Sequence, residues 1–198
     1  NSLIENASKV TSTNKAFIYD GSGIYQEVEV EKTNYNEYPI SYKLSKLQDL
    51  SKKVLDSDEK IVKVGHCQYG ENKSITRIIN SKGVNLNREF SYASTMIGAL
   101  ASNGKETSIG YERDIQFDIT KFDYEKLAKN SVEEALSSLG AGSLATGQYS
   151  AVFRYDVMTS ILKAFSTVFS GQSAMKKLTL LTDKIDQQVF GKNINIVD

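Results

Sequence analysis

The chain holds one cysteine, one histidine, one proline and no tryptophan among 198 residues. One thiol closes no internal disulfide, and no CxxC or other thiolate cluster is present. That usage fits a reducing cytoplasm. A structural zinc normally takes four His, Cys or carboxylate ligands, and a catalytic one three plus water. With His66 and Cys67 as the only residues of their kinds, neither a zinc site nor any other cofactor is expected. Net charge is missing too, since 24 basic residues are interspersed with 24 acidic ones. Nucleic-acid binders draw much of their affinity from neutralising phosphates and show a basic excess or stripe, so direct nucleic-acid binding is not expected. No run of about 18 apolar residues could form a membrane span. No charged n-region and apolar h-region open the chain as a secretory signal.

What remains is an ordinary globular composition, 40% hydrophobic and 24% charged, enough for one or two domains. Four helices follow from the spacing of apolar residues. In the first, Leu3, Ile4, Ala7 and Val10 share a face. In the second the face is Leu44, Leu47, Leu50, Val54 and Leu55. Residues 17–40, with the single Pro39, read as an irregular connection. The third helix, about 123–139, opens on Thr120-x-x-Asp123, a capping-box pattern, and closes on Gly140, suited to the left-handed C′ position. The fourth, about 156–170, turns Val157, Ile161, Leu162, Phe165, Val168 and Phe169 inward and stops at Gly171.

Between the second and third helices the period falls to two. Runs at 60–69 and 74–80 flank Gly70-Glu71-Asn72-Lys73, a hairpin candidate. Runs at 84–100 and 107–117 flank Asn103-Gly104, the pair favoured in type I′ turns. These runs predict an α+β fold with a four-stranded antiparallel β-meander over 60–117, flanked by helices. The even residues of 84–100 (Val84 to Leu100) and the odd residues of 107–117 (Ile109, Ile115 and Phe117 among them) should form its buried set. A short β-run follows at 149–155. The relaxed stretch at 140–147 predicts a boundary between a middle domain, 1–139, and the start of a second domain, 140–198.

No catalytic constellation stands out. His66 and Cys67 invite a base–nucleophile reading, but neighbours on a strand point to opposite faces. A structural thiol is the expected role. Glu27, Glu29 and Glu31 alternate along a possible strand; a hard cation usually takes its oxygens from several segments, so a solvated, charged edge is expected. Gly21-Ser22-Gly23 and Gly140-Ala141-Gly142 lack the contexts of phosphate loops and read as turns. No G-x-S-x-G elbow is present. Phe165 and Phe169 are the candidate interface residues.

The order of elements carries a resemblance. From Leu139 a Gly-rich turn leads to the β-run, the amphipathic helix stopped by Gly171, a Ser- and Lys-rich connector and Asn195-Ile196-Val197-Asp198. This order resembles the start of the C-terminal domain of the TldD/PmbA family, in its PmbA (TldE) branch. Upstream, the first helix, the long meander and FDYEKLAKNSVEEALSSLGA follow the family's middle domain. Asn1 in place of an initiating Met agrees with a fragment truncated within the second domain. The TldD branch resembles a zinc peptidase whose HExxxH helix falls where this chain reads ILKAFSTVFS, residues 161–170, without His or Glu.

The resemblance implies a non-catalytic PmbA/TldE-like subunit of a TldD–TldE type metallopeptidase. Its partners would be a TldD-like zinc peptidase subunit and a peptide substrate. The implied processes are peptide maturation by leader removal and degradation of unfolded peptides. The family's other label, modulator of DNA gyrase, is then an indirect effect through peptides. The alternative is a stand-alone peptide-binding protein that adds extended peptides to an exposed sheet edge. Phe165 and Phe169 supply apolar area needing cover, which predicts that the fragment self-associates.

Overall fold

Small side chains decide which face of this protein's sheet is covered. The computed structural model describes residues 2–10, 18–21, 23–25 and 29–196, in two compact units, Asn1–Gly142 and Ser143–Asp198. In the first unit β1 (Ile61–Ile79), β2 (Asn85–Ser102) and β3 (Thr107–Gln116) form an antiparallel sheet in the order β1-β2-β3. Helix α1 (Ser2–Lys9) precedes it. Helices α2 (Ile40–Leu55) and α3 (Tyr124–Ser137) cover one face. The α+β class with an antiparallel meander is as the sequence predicts.

The buried core joins Leu50 and Val54 of α2 to Leu127, Ala128, Val132 and Ala135 of α3. Between them lie Ile61, Ile97, Ala99 and Ala101 of the sheet. A smaller cluster joins Tyr35, Ala93, Ile119 and Phe122. Short side chains on the strands let the helices sit close, and the helices contribute most of the bulk.

The meander has three strands where four were expected. The runs at 60–69 and 74–80 are one continuous strand, because Gly70 to Lys73 stay paired with Ser94 to Ser91 of β2. The hairpin turn lies beyond, where the Asn80 side chain accepts from the backbone N–H of Lys82 (2.9 Å) and Val84 (3.1 Å) and Gly83 takes φ +90°. The second hairpin falls at Asn103-Gly104 as expected, with different chemistry. Gly104 alone has positive φ, while the Asn103 side chain accepts from the N–H groups of Lys105 and Glu106. A type I′ turn needs positive φ at both central residues, so this is an Asx-stabilised loop.

The phase of the burial pattern is the larger correction. The period of two holds and Val84 is buried as expected, but within β2 the buried set is Ala93, Thr95, Ile97, Ala99 and Ala101, the odd one, with only Gly98 of the even residues. On β3, Gly110 is buried and Ile109, Tyr111 and Ile115 are exposed. Both helices pack on the small-residue face, which leaves the bulky one uncovered.

Helix α3 begins at the Asp123 cap, whose carboxylate accepts from the Lys126 N–H at 2.9 Å. Thr120 takes no part in that cap; its N–H and hydroxyl both donate to Asp118. Gly140 has φ +78°, the left-handed closure expected of it.

The second unit contains α4 (Tyr155–Phe165), a 3-10 turn (Ser166–Phe169) and α5 (Gly171–Met175). The β-run expected at 149–155 forms no strand; its last residue, Tyr155, already opens α4. Nor does the α4 stripe turn inward: no residue of α4 or of the following turn is buried.

Candidate functional site

Residues 161–170 are the segment where the resemblance sets the zinc helix of the TldD branch. It spans the end of α4 and the 3-10 turn. The start of α4 is held by Arg154, whose guanidinium donates twice to Asp156, from Nε and Nη2, at 2.7 Å each. That fork holds the Asp156 carboxyl down at about 2. Further along, the Thr179 hydroxyl donates to the Val168 carbonyl at 2.8 Å, tying the returning chain to the turn. The Phe169 ring lies 6.0 Å from that of Phe190. Phe165 is 61% exposed and Phe169 42% exposed.

Leu162, Lys163, Ala164, Phe165, Ser166 and Thr167 occupy the middle of this segment. None carries an imidazole, thiolate or carboxylate, so its donor set does not fit zinc. Among the described residues, no three His, Cys, Asp or Glu side chains gather closely enough to share a metal ion.

His66 and Cys67 lie on opposite faces of β1. His66 sits on the uncovered face, with Nε2 2.9 Å from the Gln68 side-chain oxygen. Cys67 packs against the helix-side core, its Sγ 3.7 Å from the Leu47 carbonyl. The two do not form a nucleophile–base pair. Of the acidic run, Glu27 and Val28 lie outside the described residues. Glu29 and Glu31 lie in a non-ladder segment bordering a cleft that also touches Lys73 and Glu89, so the expected strand edge is not formed at 29–31. Gly21 and Gly23 both take positive φ, as turn residues do, and Ser22 between them lies outside the described residues.

The sequence reading missed a polar cluster where α2 crosses β1. Lys43, its side chain only 10% exposed, pairs with Glu71. Its ammonium lies over the rings of Tyr69 (5.6 Å) and Tyr35 (5.9 Å). The Tyr69 hydroxyl donates to the same Glu71 oxygen at 3.0 Å. Burial first, and then the bond to Glu71, push the Tyr69 phenol far above its ordinary range. Burial likewise lifts nearby Tyr124 to about 12. These phenols stay protonated, and the lysine is fully engaged. The arrangement clamps α2 to the sheet and offers no free acid or base. No local spacing marks it, because Tyr35, Lys43 and the Tyr69–Glu71 pair come from separate elements brought together by packing.

A groove of about 460 Å³ lies between the exposed side of α2 and β1, its floor made mainly by Leu44, Leu47, Leu55 and Cys67, with Gln48, Ser51, Lys52 and Asp56 at its rim. It is apolar and shallow, and β1 is an edge strand of the sheet.

The family comparisons agree with this architecture. The model of the PmbA/TldA metallopeptidase central domain matches residues 34–139. The model of the C-terminal domain of the same metallopeptidases matches residues 146–198. The metalloprotease PmbA homolog of Haemophilus influenzae is 26% identical over 145 residues, which are 69% of this chain and 30% of that protein. Two crystal structures assigned as modulators of DNA gyrase share the fold. The one from Thermotoga maritima gives a TM-score of 0.75 at 19% identity, over 94% of this chain and 43% of that one. The one from Bacteroides thetaiotaomicron gives 0.78 at 15% identity, over 94% and 44%. TldE from Thermococcus kodakarensis gives 0.64 at 18% identity, over 90% and 41%. The chain thus spans less than half the length of each of these relatives. With its central-domain match alone covering more than half of its residues, the chain belongs to the PmbA/TldD family of metallopeptidases.

Proposed function

We propose that this chain acts as a PmbA/TldE-type, non-catalytic subunit of a TldD–TldE type metallopeptidase. The carrying observation is the segment at 161–170, which lies within the C-terminal-domain match and has neither His nor Glu. In this reading a zinc-bearing TldD-like homologue hydrolyses the peptide bond. The present chain completes the enclosure and helps admit extended peptides, for maturation or degradation, in a reducing cytoplasm. The test is a reconstitution with the HExxxH-bearing homologue from the same genome, scored on an unfolded peptide. Hydrolysis is expected in the mixture and not from this chain alone. Chelator-sensitive hydrolysis by this chain alone would overturn the reading.

A second reading, a stand-alone peptide binder, is favoured by one feature. The apolar groove borders an edge strand, where an added strand could gain backbone hydrogen bonds. Two register irregularities in β1, at 61–63 and 64–66, bend that edge and weigh against it.

A further inference from the structure

The sheet segregates its charges by face. Register places Glu71, Glu89, Glu112 and Asp114, all of its carboxylates, on the helix-covered side. The uncovered side has three cations instead, Lys63, Arg88 and Arg113, and no acid. None of the three makes an ion pair among the described residues. Each cation stands at a margin of the sheet. Lys63 is on the β1 edge and Arg113 on the β3 edge, while Arg88 lies on the two-stranded ribbon beyond the end of β3.

Between these margins β2 and β3 present a mainly apolar surface interrupted by Ser94, with the polar His66 and Gln68 beside it on β1. Met96, Leu100, Ile109, Tyr111 and Ile115 occupy adjacent rows of β2 and β3. Ile109 is 39% and Ile115 51% exposed. The Tyr111 ring lies across Gly98, where a Cβ would come within 2.7 Å of its Cε1, so the aromatic is held against the sheet. Docking therefore orders little side-chain freedom at this point. An apolar centre with aromatic, Met and Arg residues and few acids is the composition of a protein–protein contact. Three cations on so broad a surface are sparse for tracking a phosphate backbone. A second copy would set the same cations against each other across a two-fold contact.

We infer that the uncovered sheet face docks a polypeptide surface with an apolar centre and a fringe of carboxylates, supplied by the zinc-bearing homologue. This inference rests on the subunit reading above. The whole-chain charge balance hides this face, because it sums over all 24 acids, while the four acids of the sheet itself lie on its other side.

The experiment measures binding of the 198-residue chain to that homologue by fluorescence anisotropy. It compares the wild type with Arg113→Glu, Ile115→Ser and, as a control, Lys129→Glu on the outer side of α3. Both face variants are expected to weaken binding at least about tenfold, with the control unchanged. The wild-type affinity should also fall as salt is raised. Wild-type binding that both face variants leave intact would overturn this inference and spare the subunit reading. No wild-type binding at all would overturn both. Tight binding of a fluorescent oligothymidylate that Arg113→Glu abolishes would give the face to nucleic acid and refute the proposal. Self-association lost in Ile115→Ser, but retained in Phe165→Ser, would give it to a second copy and refute it equally.

Discussion

Gly110 of β3 lies directly beneath Ser131 of α3. A Cβ on Gly110 would fall well inside 3.0 Å of the Ser131 carbonyl oxygen and of the Ala135 nitrogen. Both are backbone atoms of a helix and cannot swing aside as the end of a side chain would. The contact sets how closely α3 approaches the sheet, and the Glu134 carboxylate adds a bond from the Tyr111 N–H at 2.8 Å. Gly110→Ala should therefore cost about 3 kcal/mol, the upper part of the usual overpacking range. Gly104→Ala is the comparison. Gly104 has φ +84° with nothing within 4 Å, so only the left-handed backbone is penalised, by roughly 1–2 kcal/mol. Urea midpoints of the two variants check this; a smaller loss at Gly110 than at Gly104 would show that α3 does not sit so close.

The same contact sets the strands' phase against hydrophobicity. Hydrophobicity alone assigns Met96, Leu100, Ile109 and Ile115 to the core, because burying a large apolar side chain is worth roughly 1.5–3 kcal/mol. Here the close approach of α2 and α3 selects Ala93, Ala99, Ala101 and Gly110, and the helices' Leu50 and Leu127 fill the space. A single sequence shows that a strand alternates, but not which of two plausible faces a helix will choose. The helices themselves were legible, since spacing marked α2 and Asp123 and Gly140 punctuated α3. The Lys43–Glu71–Tyr69 cluster was not, because it joins residues 28 apart through tertiary packing. The absence of zinc donors at 161–170 needed no structure.

Asp118 ties the segment before α2 to the end of the sheet. Its Oδ1 accepts from Asn34 Nδ2 at 2.6 Å, from the Thr120 N–H at 2.9 Å and from the Thr120 hydroxyl at 2.7 Å. The Thr120 hydroxyl, then its N–H, then Asn34 hold the carboxyl below the usual range. With the folded pKa depressed, the unfolded chain binds the proton more readily. The stabilisation is complete above the unfolded value, about 3.9, and is lost as pH falls through the folded one. The stability gap between wild type and Asp118→Asn should accordingly stay constant from neutral pH down to about pH 5 and narrow as the pH falls through and below about 4. A gap that stays constant on acidification would show that Asp118 is not ionised in these bonds.

The purified, tag-free chain should retain no stoichiometric zinc. Its one His and one Cys face opposite sides of β1, and residues 161–170 offer no ligand. A closed site would have to be assembled almost entirely from carboxylates, against the preference of zinc for nitrogen and sulfur. Metal analysis returning about one zinc per chain after dialysis would defeat this expectation, and the branch assignment with it.

The α4 face should govern self-association of the chain as it stands. Phe165 and Phe169 end this amphipathic segment exposed, and among the described residues only Phe169 of the two has a ring neighbour, Phe190. Val157 and Leu162 are exposed as well, so the apolar stripe is continuous rather than a scatter of single residues. Covering one phenyl ring is worth roughly 1.5–3 kcal/mol. Two rings buried on each of two copies would contribute about 6–12 kcal/mol, comparable with the cost of association, which suits a weak dimer at high concentration. Replacing both Phe165 and Phe169 with Ser should shift the chain toward monomer in sedimentation velocity, without loss of the far-ultraviolet helical signal. Because neither ring belongs to the buried core of the first unit, the double variant should keep the wild-type urea midpoint of that unit. An unchanged sedimentation coefficient across a concentration series, with wild type and variant superimposed, would rule out the α4 face as the contact.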